Sequence, residues 1–210
     1  MIGRPTYVSG LSSGGVMSAW LTAYAAPGQV RAAVYEDPPL FASEVRPAIG
    51  PGIRQCIGPM FHLWSTYLGA QWSVGAWEAM REAAPTFLPE RLAGIPFPEE
   101  PGQMLKEYDP EWGGAFWSGS VAASCDHERM LRSVTVPHVL LTHHSRHVDD
   151  AGFLLGALSD PQAEHARTLL ADAGVEVTYR SFPEAAHSLH GTQPQLYVDT
   201  LLEWFDGLPS

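Results

Sequence analysis

Ser12 stands in Gly10-Leu11-Ser12-Ser13-Gly14, a G-x-S-x-G pattern. A serine hydroxyl is a weak nucleophile until a base takes its proton and a sharp turn presents it to a substrate. The glycines leave room for the strained backbone of such a turn between a strand and a helix. The next amide, Ser13 N–H, then lies at the helix N-terminus and can donate to an oxyanion developing on an attacked carbonyl. The base is expected on the loop after the last strand. There the chain reads Phe182-Pro183-Glu184-Ala185-Ala186-His187-Ser188-Leu189-His190, and His187 is the expected base, with His190 three residues on as its rival.

These groups need elements to hold them. Residues 6–9 read as a short strand and 10–15 as a glycine-rich turn. Val16 to Ala25 reads as helix, with Val16, Trp20 and Tyr24 at spacings of four and Met17 and Leu21 beside them; this broad apolar coverage predicts a deeply buried helix. Residues 31–36 form a second strand, closed by Asp37-Pro38-Pro39. Val136 to Thr142 is a continuous apolar run that suits a strand buried on both faces. Asp160-Pro161 opens a helix that Gly174 ends, residues 175–182 are a strand, and 194–205 form a final amphipathic helix with Leu201, Leu202 and Phe205 inward. Strands alternating with helices predict an α/β fold with a mostly parallel sheet of about four strands.

Between them, residues 41–130 change character. Prolines and glycines are frequent, Trp64, Trp72, Trp77, Trp112 and Trp117 cluster, and helical patches are expected around 60–69, 73–84 and 102–107, with a proline-rich loop over 94–102. The expected division is therefore a core of residues 1–40 and 131–210 and a mostly helical cap insertion at 41–130. The tryptophans suit the lining of an apolar pocket and the core of a small helical unit equally well.

Composition narrows the function classes. The formal net charge of −11 disfavours phosphate backbones and anionic lipid, so neither nucleic acid nor membrane is an expected partner. No apolar stretch reaches the roughly 20 residues that span a bilayer, and the first residues show no basic-then-apolar leader. With two cysteines, Cys56 and Cys125, read as free thiols, a cytoplasmic protein is expected. His143, His144 and His147 with Asp149 and Asp150 have ligand chemistry suited to zinc or iron, but no distant partner ligand is evident. No metal and no cofactor are expected.

Together, Gly10 to Gly15, the Asp109-Pro110 and Cys125-Asp126-His127 stretches leading into Val136-Pro137, and Ala186-His187 resemble the α/β-hydrolase superfamily of serine esterases and lactonases with a helical cap. The resemblance covers the whole chain, from the elbow strand onward. It implies acyl-enzyme hydrolysis of a small-molecule ester or lactone, in which Ser12 attacks, His187 relays the proton and water frees the acid. Serine perhydrolases and carbon–carbon bond hydrolases share the same parts. Most of the superfamily places its acid after the strand at 136–142, where this chain has His143-His144-Ser145-Arg146-His147 and then Asp149 and Asp150. A second arrangement, similar to that of zearalenone lactonases, ends the strand after the nucleophile helix with the acid. Glu36, 24 residues after Ser12, takes that place and is the expected acid; Asp149, Asp150 and Asp37 are the alternatives. The superfamily also carries strands before the elbow strand. Their apparent absence predicts a truncated chain, a non-catalytic fragment, or a sheet completed by another segment or a second copy.

Overall fold

The computed structural model describes residues 4–69 and 74–209; residues 1–3, 70–73 (Trp72 among them) and 210 lie outside the described residues. Four strands, β1 (Thr6–Leu11), β2 (Val30–Glu36), β3 (His138–His143) and β6 (Glu176–Ser181), form one parallel sheet in the order β1-β2-β3-β6. Two short antiparallel strands, β4 (His147–Val148) and β5 (Leu154–Leu155), pair beside it. Helices α1 (Ser13–Tyr24), α7 (His127–Arg132), α8 (Asp160–Asp172), α9 (Leu189–Thr192) and α10 (Pro194–Asp206) complete this unit, which comprises residues 1–42, 46–53 and 125–210. No described helix is long and apolar enough to cross a membrane.

Alternation along the strands sends successive side chains to opposite faces. Ala33, Tyr35, Val139 and Leu141 pack with Ala19 of α1 and with Leu169 and Leu170 of α8. Ala32, Val34 and Leu140 pack on the other face with Trp204 of α10. This two-sided burial is why the strands read as nearly continuous apolar runs.

The α1 helix departs from expectation. Its buried residues are Gly15, Ser18, Ala19 and Thr22, whereas Met17, Trp20, Leu21 and Tyr24 are exposed, Met17 by 67%. The small side chains let the helix axis lie close to the sheet, and the Thr22 hydroxyl bonds the buried Tyr35 hydroxyl. The large residues are thereby turned away. Among the described residues β1 pairs only with β2, so its second edge carries no strand. In α10, Trp204 and Thr200 face inward and Leu202 is 55% exposed, against the expectation for Leu202. Ser159, rather than Asp160, is the cap of α8, its amide donating to Gln162 Oε1 at 3.0 Å.

The second unit, residues 43–45 and 54–124, holds α2 (Ile53–Tyr67), α3 (Trp77–Phe87), α4 (Gln103–Lys106), α5 (Pro110–Ser118) and α6 (Ser120–Ala123). Met60, Leu63, Leu68, Trp77, Met80 and Leu88 are buried in a core of its own, and Trp64 packs against them. Phe61 carries an aromatic cluster with Trp64, Trp112 and Phe116 at ring separations of 5.2, 5.1 and 4.6 Å. These rings build the unit's interior.

One buried histidine links the first unit to pH. His127 Nδ1 accepts the Phe41 amide at 2.9 Å, and burial pushes its pKa down to about 4. The folded protein therefore binds fewer protons than the unfolded chain between about pH 6.5 and 4. Stability contributed by the neutral ring is present above that window and is lost as pH falls through it, by about 3 kcal/mol at the acid end. His127→Asn keeps an acceptor for the Phe41 amide and does not titrate. Denaturant unfolding at pH 7 and pH 4.5 is expected to show a smaller acid loss in the variant than in the parent.

Candidate active site

The elbow is fixed by contacts that only glycine allows. Ser12 adopts φ 57°, ψ −123° between β1 and α1, and its amide donates to the Glu36 carbonyl at 2.9 Å. A Cβ on Gly10 would sit 2.1 Å from the Gly14 carbonyl oxygen, and one on Gly15 would sit 3.0 Å from both the Gly10 carbonyl oxygen and Pro38 Cβ. Gly14, by contrast, has open space. The demanding glycines are thus Gly10 and Gly15, and Gly15 lies outside the five-residue pattern. Gly10→Ala is expected to lower the melting temperature by several degrees or prevent folding. Gly14→Ala, in the first turn of α1, is expected to be neutral or stabilising by up to about 1 kcal/mol. Thermal denaturation of the two variants checks both.

The end of β2 supplies two carboxylates, both buried. Glu36 is the last strand residue and follows the alternation of Ala32 and Val34, so its side chain reaches the α9–α10 face. There Glu36 Oε1 accepts the amides of Leu189 and His190 at 3.0 and 3.2 Å, and Oε2 pairs with His190 Nδ1 at 2.8 Å. Asp37 would point the other way had the strand continued. Its φ of 42° ends the alternation, and its Oδ2 meets His187 Nδ1 at 2.6 Å while Oδ1 accepts the His144 amide at 3.2 Å. The expected pairing of Glu36 with His187 is therefore corrected: Asp37 holds His187, and Glu36 holds His190.

Asp149 and Asp150 make none of these contacts. Asp149 Oδ1 accepts the amides of Ala151 and Phe153 at 3.0 and 2.8 Å, closing the turn between β4 and β5, and Asp150 is exposed. His143 is buried, with Nε2 on the Leu158 carbonyl at 2.7 Å and Nδ1 on the Tyr179 hydroxyl at 2.8 Å; burial lowers its pKa. Among the described residues, no three His, Cys, Asp or Glu side chains converge as metal ligands.

His144 is the participant that the sequence reading missed. Its Nδ1 lies 2.7 Å from the His187 carbonyl, so Nδ1 carries the proton and donates. Its Nε2 lies 2.9 Å from Thr142 Oγ1, two residues back on the same face of β3. Period-two alternation beyond Thr142 was the signal that pointed His144 toward this site. Among the described residues none hydrogen-bonds Ser12 Oγ.

No family model matches the sequence, and no curated protein matches it. Solved structures do. A hydrolase from Oleispira antarctica aligns at TM-score 0.56 and 14% identity over 98% of this chain and 66% of its own. An esterase from Pyrococcus furiosus aligns at 0.52 and 12% over 95% of this chain and 53% of its own. The chain has the α/β-hydrolase fold. A third similar structure, the esterase EaEST from Exiguobacterium antarcticum, aligns at 0.50 and 15% over 95% and 66%. The chain spans between half and two thirds of the length of these three α/β-hydrolase structures.

Within this α/β-hydrolase sheet, the carboxyl ends of parallel strands β1, β2 and β3 carry Ser12, Asp37 and His144, and the loop after β6 carries His187. Asp37 faces Nδ1, so in the neutral ring the proton sits on Nδ1 and Nε2 is the free nitrogen. That is the tautomer a general base requires.

Proposed function

We propose that this chain is a serine hydrolase that cleaves a carboxylic ester or lactone of a small, fairly apolar molecule through an acyl-enzyme. Ser12 is the nucleophile, His187 the general base, Asp37 the orienting acid, and the Ser13 amide an oxyanion donor. The observation that carries this reading is the 2.6 Å His187–Asp37 pair on a sheet that ends in a strained serine elbow. Ser12 Oγ attacks the carbonyl carbon as Nε2 of His187 takes its proton. The resulting imidazolium is stabilised by Asp37 and returns the proton to the leaving alkoxide. Water, deprotonated by the same nitrogen, then releases the acid and restores Ser12.

Ser13 is the first residue of α1, so its amide has no partner within the helix and the positive end of the helix dipole lies behind it. His187 rather than His190 serves as base in this account, because His190 lies within α9, its amide tied to Glu36 and its ring 5.6 Å from Tyr197. Two of the similar structures are esterases, which supports an ester as the substrate class. Reaction of the chain with a fluorophosphonate probe, read by intact mass, tests the proposal. One probe adduct on Ser12, with hydrolysis of short p-nitrophenyl esters, is expected. A chain that neither labels nor hydrolyses would overturn it.

A further inference from the structure

The mechanism above leaves one buried charged side chain without a task. Glu36 is only 1% exposed, and its carboxylate satisfies three donors, the amides of Leu189 and His190 and the His190 ring. All three lie within three residues of His187. A carboxylate in so enclosed a place is held only where donors compensate its lost hydration. We propose that Glu36 is a positioning residue. It fixes the start of α9 and thereby the place of the preceding His187, while taking no part in the proton transfer itself. The inference rests on the hydrolase reading for what His187 does, and on the hydrogen bonds alone for how it is held.

The geometry divides the labour between neighbours in sequence. Asp37 touches the imidazole and His144 the carbonyl of His187, which sets the ring and its backbone on one side. Between His187 and the first residue of α9 stands only Ser188, whose hydroxyl accepts the Gly191 amide as the cap of that short helix. Glu36 grips the next two amides. Without it those amides lose their acceptor, and a four-residue helix is left with the Ser188 cap, the buried Leu189 side chain and the His190–Tyr197 ring contact to keep it in register. A shift of 1 Å in the base is enough to cost about 10²-fold in rate.

The roles separate by substitution. Glu36→Gln retains an oxygen for the two amides, loses the charge, and turns its NH₂ toward His190 Nδ1, which can accept from it. Glu36→Ala loses both the oxygen and the charge. Proton NMR of the imidazole N–H region reads the His187–Asp37 bond as a low-field resonance, assigned by its loss in Asp37→Asn, and needs no turnover. The resonance is expected in the parent and in Glu36→Gln, and expected to move or vanish in Glu36→Ala. On p-nitrophenyl esters, Glu36→Gln is expected to keep kcat within about tenfold, and Glu36→Ala to lose about 10²-fold in kcat with KM little changed. An unchanged resonance in a folded Glu36→Ala, or a loss in Glu36→Gln as deep as in Asp37→Asn, would overturn the proposal. Failure of the parent to label with the fluorophosphonate would instead count against the hydrolase reading, and the resonance would still decide whether Glu36 places His187.

Discussion

Asp37→Asn is expected to lower kcat on p-nitrophenyl esters by about 10⁴-fold while the protein stays folded, with KM changed little. The direction follows from the two donors and acceptors around the carboxylate. Oδ1 receives the His144 amide, which can only donate. An asparagine at this position keeps its oxygen there, so its NH₂ group is turned toward His187 Nδ1. That nitrogen must then accept, and the proton moves to Nε2. A ring protonated at Nε2 cannot take the proton of Ser12. The variant should therefore retain its far-ultraviolet dichroism and lose turnover, with fluorophosphonate labelling slowed in parallel. Equal loss in Asp149→Asn would contradict this account, because Asp149 is occupied by the amides of its own turn.

Ser12→Ala is the second large effect. Removing the hydroxyl eliminates the nucleophile of the proposed mechanism, so covalent labelling should disappear and turnover should fall by about 10⁴-fold or more. Ser12→Gly carries the same loss and a gain in stability. Serine at φ 57°, ψ −123° occupies a sparsely populated region that glycine enters freely. Relief of that strain, less the extra chain entropy of glycine, should stabilise the fold by about 1 kcal/mol, measured as a rise in the denaturation midpoint. A nucleophile whose removal stabilises the protein marks a position held for chemistry at the expense of folding. A glycine variant less stable than the alanine variant would remove the basis for calling the elbow strained.

The elbow was legible in the sequence because its requirement is local. Gly10 is constrained by Gly14, four residues on, and short-range pattern suffices. The parallel sheet was legible for a similar reason, since β2 and β3 are buried on both faces and read as apolar runs. The carboxylate that pairs with His187 was not. Glu36 and Asp37 are adjacent, His187 and His190 are three apart, and which carboxylate meets which ring is decided by a left-handed φ at Asp37 that no residue pattern announces. The orientation of α1 was hidden differently. Its sheet-facing residues are glycine, serine, alanine and threonine, which carry little hydrophobic signal, and the large apolar residues that dominate the helical pattern point outward. Close approach between helix and sheet selects for small volume, and a periodicity of hydrophobicity does not record volume.

With Asp37 as the proposed acid, the turn between β4 and β5 gains a freedom. Among the described residues, none from His147 to Leu155 hydrogen-bonds His187, and the Asp149 carboxylate closes its own hairpin. The tip of the hairpin is accordingly an exchangeable module: its exposed side chains can be redesigned with the buried Leu154 kept, and with Ser12, Asp37 and His187 left on the elements that hold them.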